Sequence, residues 1–180
     1  CLVGSEMCIR DRRYTKYQKT LDAFLFCCYA GMRYSDFVNM KPDNIVEMHQ
    51  ETWLIYKSIK TGTEVRLPLY LLFSGKGILI LNKYQANLQD FFHLRDNSNV
   101  NKELIIIARL AGVAKKVSFH TARHTNATLL IYNGVNITTV QKLLGHKSVK
   151  TTQIYTNVMD ATIISDLEKN HSSVHRKKGK

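Results

Sequence analysis

The sequence predicts an α+β domain, mostly α-helical, with a small three-stranded antiparallel sheet on one side. Three observations predict it. Apolar residues recur at helical spacing through most of the chain, beginning with Leu21, Phe24, Leu25 and Cys28. Three short β-rich runs follow one another near the middle, joined by turns too short for a crossover. Glycines and prolines are few, 9 and 2 in 180 residues, and 44% of residues are hydrophobic, so the composition is that of one packed domain and not of a disordered or repetitive chain.

Taken in order, Tyr17–Ala30 is the first helix, with Gly31 as its stop. A short helix follows from Ser35 and ends by Pro42. The runs Asn44–Met48, Trp53–Lys57 and Val65–Leu69 form a meander, with turns at His49–Glu51 and, around Gly62, at Thr61–Thr63. Tyr84–Leu94 and Val100–Leu110 are the next helices, the second stopped by Gly112. Ser118 caps a helix running to Asn133, with Gly134 just past its end. Asn136 caps Thr138–Leu144, which Gly145 stops, and Ser148 caps a short helix through Tyr155. Met159–Lys169 is a last amphipathic helix, with an apolar stripe of Ala161, Ile163, Ile164 and Leu167.

The two ends read differently. Residues 1–12 carry no period that joins the following segment, and they resemble translated sequencing-adaptor DNA. They are expected to be non-native, and a chain that does not begin with Met is expected to be a fragment or a processed product. Residues 171–180 form a basic tail. The folded domain is therefore expected over residues 13–170.

Charge narrows the partners. Lys and Arg outnumber Asp and Glu by 26 to 14, and only four of the positive charges lie in the last six residues, so the folded part is basic too. A basic excess of this kind suits a polyanion, of which nucleic acid is the commonest. No apolar run approaches the ~18–20 residues that span a bilayer, and no N-terminal stretch has the order of a secretory signal. Cys27 and Cys28 are adjacent in an apolar segment and read as small buried hydrophobes. This cysteine usage fits a reducing, cytoplasmic setting, and with no CxxC pair in the chain a Cys-based zinc site is not expected.

Four local motifs carry chemistry. Gly31-Met32-Arg33-Tyr34-Ser35-Asp36 places an arginine between a helix end and the next helix start, where a guanidinium and backbone donors can face an anion together. Lys60-Thr61-Gly62 puts a lysine on a hairpin turn, able to reach a phosphate or to donate a proton. His120-Thr121-Ala122-Arg123-His124 sets two histidines and an arginine on one helix face. That face can bind an anion, or remain simply solvated. A zinc site on His120 and His124 is a further reading, against which stand Thr121 in the place of the HExxH glutamate and the charge of Arg123. Leu144-Gly145-His146 ends a helix so that the histidine turns back, and Tyr155 follows nine residues on. Taken singly, each of these also has an ordinary structural reading.

Their order is more specific than any one of them. Arg33, hairpin Lys60, His120-x-x-Arg123-His124, Leu144-Gly145-His146 and Tyr155 together resemble the catalytic domain of the tyrosine recombinase (phage integrase) family, over roughly Tyr14–Met159. The flanking Arg-Tyr-Ser-Asp, Lys-Thr-Gly-Thr and LLGHKSVKTTQIYTNV agree, in the style of integrases of mobile elements from Bacteroidetes-type bacteria. One departure is Asn126, where the family usually has an aromatic or aliphatic residue.

The resemblance implies a fold like that catalytic domain, and site-specific cutting and rejoining of double-stranded DNA through a 3′-phosphotyrosine link. It implies Tyr155 as nucleophile, and Arg33, Arg123 and His146 on the nonbridging oxygens. His120 would position or take the tyrosine proton, Lys60 would protonate the leaving 5′-oxygen, and Asp36 and His124 would brace the site. It implies no metal and no ATP, because the arginines supply the cationic charge and the phosphotyrosine keeps the bond energy. It further implies a homo-tetramer on DNA, a separate N-terminal core-binding domain in the full-length protein, no membrane, and a place at the bacterial nucleoid. Type IB topoisomerases and telomere resolvases use much the same constellation. A non-catalytic DNA-binding relative, or a zinc hydrolase using His120, His124 and His146, are the other readings.

Overall fold

The structure is a computed structural model, and it describes residues 16–155. The helices are α1 (Gln18–Ala30), α2 (Tyr34–Val38), α3 (Lys76–Lys83), α4 (Leu88–Phe92), α5 (Asn97–Leu110), α6 (Phe119–Tyr132), α7 (Ile137–Leu144) and α8 (Lys150–Gln153). Between α2 and α3 lie the strands β1 (Ile45–Met48), β2 (Glu51–Lys57) and β3 (Glu64–Pro68). The expected helix at 159–169 and both terminal stretches lie outside the described residues.

α1 is the axis of the fold. It contains no glycine or proline, and every residue from Thr20 to Ala30 is buried. A helix apolar all round has to be enclosed, and α6, α3, α5 and α4 all pack against it. Its one buried carboxylate, Asp22, is matched by the Tyr84 hydroxyl at 2.8 Å, Lys83 Nζ at 3.1 Å and Gln18 Nε2 at 3.1 Å. Phe37 of α2 joins the helices at the other end, with its ring 5.4 Å from those of Phe91 and Phe92 and 6.0 Å from that of Phe26. Edge-on and tilted aromatic contacts of this kind add to the area buried.

The sheet has the order β1-β2-β3, antiparallel throughout, with Val46 opposite Trp53 and Tyr56 opposite Val65. Leu54 and Tyr56 of β2 and Val65 and Leu67 of β3 face the core, while Glu64 and Arg66 face out. This is the alternation of a half-covered sheet. The first turn is tighter than expected. Glu51 already pairs with Met48, so only His49 and Gln50 turn the chain, at φ of 53° and 65°. Positive φ at both positions is the type I′ hairpin turn, usually made by Asn-Gly.

One expected element is different. Tyr84–Leu94 is not a single helix. α3 precedes it, the chain breaks at Tyr84, and α4 starts anew at Leu88, with the Asn87 side chain accepting from the Asp90 N–H at 3.0 Å. The break lets Tyr84 stack on Phe91 with ring centroids 4.3 Å apart while its hydroxyl reaches Asp22. Seven residues along one straight helix would also share a face, but would hold these rings about 10 Å apart. α5 also begins earlier than expected, at Asn97, because Asp96 accepts from the Ser98 and Asn99 N–H groups.

Replacing His49-Gln50 with Asn-Gly is expected to stabilise the domain by about 1 kcal/mol, since a left-handed conformation costs an ordinary residue about that much. Thermal melts of the two chains check it, and the gain should appear as a higher Tm.

Candidate active site

Arg123 lies one turn into α6, and its side chain is turned inward: the residue is 1% exposed. One guanidinium N–H donates to the Gly31 carbonyl at 2.7 Å and another to the Leu144 carbonyl at 2.5 Å. Those carbonyls end α1 and α7, so the negative poles of two helices converge on one cation. Burial and the nearby charge of Arg33 push the Arg123 pKa down to about 10, which still leaves it charged at neutral pH. Gly31 makes the approach possible. It takes φ of 67°, and a Cβ there would stand 2.7 Å from Asn126 Oδ1 and 2.8 Å from Leu144 Cδ2.

Arg33 follows two residues later, in extended conformation ahead of α2. It donates to Ser58 Oγ at 3.1 Å and lies 3.5 Å from Asp36. The Asp36 carboxylate is wholly buried, and it also accepts from the Ile59 N–H at 2.8 Å and from the Ser58 hydroxyl. Asp36 thus ties Arg33 to the start of the turn that carries the exposed Lys60. Beyond that lysine, Thr61 Oγ1 donates to the Gly145 carbonyl at 3.2 Å, which fastens the turn to the end of α7.

Gly145 adopts φ of 63° and closes α7, and a Cβ there would stand 2.6 Å from Val65 Cγ2. The next residue, His146, is turned inward as expected. It is 8% exposed, with Nδ1 2.8 Å from Thr152 Oγ1. Burial first, then Arg123 and Arg33, push its pKa down to about 4. His120 is exposed at the start of α6, and its ring meets that of His124 edge-on at 4.4 Å. Its pKa is also lowered, by burial and then by His124, Arg123, Arg33 and Lys60. His124 in turn meets the Tyr155 ring at 5.3 Å. Tyr155 is 7% exposed; burial raises its pKa, and Arg123 and Arg33 pull it back down.

Seven of the eight residues singled out in the sequence therefore gather in one cluster, and Lys60 stands exposed on the turn beside it, near enough for its charge to act on His120. The cluster is built from the ends of α1 and α7, the start of α6, the β2–β3 turn and the segment after α8. Ser58, Thr152 and Asn126 belong to it as well. Ser58 and Thr152 carried only a positional signal, two residues before Lys60 and one turn before Tyr155, whereas Asn126, one turn after Arg123, stood out as a departure from the family pattern. Tyr56 adds a buried hydroxyl that has no hydrogen-bond partner among the described residues, close enough to Asp36, Arg123 and Arg33 to feel their charge. Among the described residues, no three His, Cys, Asp or Glu side chains are grouped to hold a metal ion, so His120, His124 and His146 do not form the zinc site considered above. No helix among the described residues is long and apolar enough to cross a membrane.

Residues 8–162 match the profile of the phage integrase family. The chain belongs to the phage integrase family. Tyrosine recombinase XerC of Rickettsia bellii is 31% identical over 163 residues, which cover 85% of this chain and 50% of that protein. Tyrosine recombinase XerD of Listeria monocytogenes is 50% identical over 145 residues, covering 71% of this chain and 46% of its own. This integrase-family chain thus spans about half the length of these relatives. XerA recombinase has a similar solved structure, with a TM-score of 0.67 at 26% identity over 86% of this chain and 59% of that one. XerH bound to its difH substrate after cleavage shares the fold, with a TM-score of 0.67 at 20% identity over 95% of this chain and 50% of that one. The mostly helical domain with its three-stranded sheet is the tyrosine recombinase catalytic-domain fold.

The His146 environment has a consequence for stability. Its pKa in the fold lies below the unfolded value of about 6.5, so the unfolded chain binds the extra proton first. The contribution is complete above that value and is lost as pH falls toward 4. The melting temperature should therefore drop between pH 7 and pH 4.5, and a His146→Gln chain should show a shallower drop. Melts of both across that range measure the difference in slope.

Proposed function

We propose that this chain is the catalytic part of a site-specific recombinase that cuts and rejoins double-stranded DNA through a 3′-phosphotyrosine intermediate. The observation that carries the reading is the convergence of Tyr155 with Arg33, Arg123, His120 and His146 in one half-buried cluster, with Lys60 on a turn beside it. The family of the chain supports it.

In this reading the Tyr155 oxygen attacks the scissile phosphorus. The P–O5′ bond breaks, and the DNA 3′ end becomes an ester of the tyrosine. The phenol proton goes to His120, whose lowered pKa keeps the imidazole neutral and able to accept it. Lys60 gives a proton to the departing 5′-oxygen, which leaves as a hydroxyl. A 5′-hydroxyl of another strand then attacks the phosphotyrosine and reverses the sequence.

Charge on the nonbridging oxygens is met by Arg33 from the open side and by Arg123 beneath it. His146 adds a neutral donor in this reading, which takes the Thr152 hydroxyl, 2.8 Å from Nδ1, as the donor to that nitrogen and so assigns the ring proton to Nε2. Asp36 holds Arg33 and the lysine turn, and the His124 ring orients Tyr155. This division of labour calls for neither a metal nor ATP. The catalytic domain is taken as residues 13–170. The half of its relatives that this chain does not span would supply a second DNA-gripping domain, and the active form is read as a homo-tetramer on DNA at the bacterial nucleoid.

The test is target-independent. The chain is incubated with a pool of nicked duplexes of randomised sequence, denatured, and the DNA covalently attached to protein is recovered and sequenced. A defined core sequence joined to Tyr155 is expected. Tyr155→Phe keeps the ring contact with His124 and removes only the nucleophile, so the adduct should vanish while DNA binding stays. An adduct that survives in this chain would remove Tyr155 from its role. Excess EDTA should leave adduct formation unchanged; loss on chelation, restored by zinc, would replace this mechanism with a metal-dependent one. Relaxed plasmid without strand exchange would instead mark a topoisomerase.

A further inference from the structure

The reactive cluster stands on the end of α1, and that end is an unfinished piece of backbone. The last carbonyls of any helix lack the N–H partners that the next turn would have supplied. Here Gly31 N–H closes onto the Cys27 carbonyl at 2.8 Å, and the chain then leaves the helix. The Cys28 and Tyr29 carbonyls both accept from the amide of Asn126, at 3.0 and 2.9 Å. The Gly31 carbonyl accepts from Arg123. Asn126 and Arg123 are one turn apart on α6, so a single helix face finishes α1 through two side chains. Asn126 is 2% exposed, and its carbonyl oxygen lies against Gly31 where a side chain would otherwise stand.

The geometry assigns Asn126 as a positioning residue for the arginine pair: by holding residues 28–31 it sets where Arg33 stands relative to Arg123. The two guanidinium groups repel each other, so without DNA nothing but the scaffold keeps them together. Arg33 is tied on its far side by Ser58 and Asp36. On its near side, a two-residue link through the buried Met32 joins it back to Gly31. An aromatic or aliphatic side chain at 126 fills volume but donates nothing to the two carbonyls. Asn126 holds them directly. The inference rests on the functional reading above, since it takes the arginine pair as the phosphate clamp.

The experiment is single-turnover adduct formation on the nicked duplex recovered from the random pool. It compares the unaltered chain with Asn126→Asp, Asn126→Phe and Leu130→Ala. Asn126→Asp keeps the size and loses both donors, and Asn126→Phe restores packing volume without them. Leu130 is buried on the same helix, one turn beyond Asn126 and two turns from Arg123, and serves as a packing control for loss of stability. At a temperature where melts show each chain folded, both Asn126 chains should slow by about 10²-fold, the cost of an ångström-scale misplacement. Their affinity for the duplex should be unchanged, and Leu130→Ala should cleave at the unaltered rate. Full cleavage by the folded Asn126 chains overturns the inference and leaves the function standing. Equal slowing in Leu130→Ala, or failure of both Asn126 chains to fold at any temperature, also overturns it, because Asn126 would then serve the fold at large. No adduct from the unaltered chain overturns the function and this inference together.

Discussion

A cation buried in a protein interior is costly unless its hydrogen bonds are met, and Arg123 is the place where this chain meets that constraint. The acceptors are backbone carbonyls at the ends of α1 and α7, not carboxylates. A carboxylate partner would have neutralised the charge. Carbonyls at helix ends hold it in place while leaving most of it available to something outside. The positions of Gly31, Leu144 and Gly145 follow from that requirement, and through them so do the positions of Arg33 and His146.

The same retained charge sets the chemistry of its neighbours. His146 and His120 are kept neutral by burial and by the arginines, and both are therefore able to exchange hydrogen bonds instead of adding repulsion. Tyr155 is held between burial, which favours its phenol, and the arginines, which favour its phenolate. Asp36 is the counterweight, wholly buried and spent on Arg33, Ser58 and the Ile59 N–H.

Much of the fold was legible because its helices end in ways that only certain residues allow. Gly31, Gly112, Gly134 and Gly145 all take positive φ where the sequence placed stops. Ser118 and Asn136 start α6 and α7 as expected, through the Thr121 side chain and the Thr138 N–H. The segment from Leu72 to Leu94 was not legible. Phe73, Ser74 and Gly75 turn left-handed in succession, with φ of 49°, 56° and 71°. Nothing in the first two residue types announces such a turn. The break before α4 is likewise made by Tyr84 reaching Asp22, 62 positions away in the chain. The site divides in the same manner. Arginine, histidine, lysine and tyrosine declare their chemistry by type. Ser58 and Asn126 acquire theirs only from partners 25 and 97–98 residues distant.

The contact between Gly145 and Val65 reaches beyond this one molecule. The bend that aims His146 and the strand that leads back from the Lys60 turn touch with no space for another methyl group. Bulk at the two positions is thus a shared quantity. Across a lineage, a larger side chain on β3 at 65 would have to be accompanied by a shift in the α7 bend, carrying the histidine and the lysine with it. The two positions should therefore drift together rather than independently.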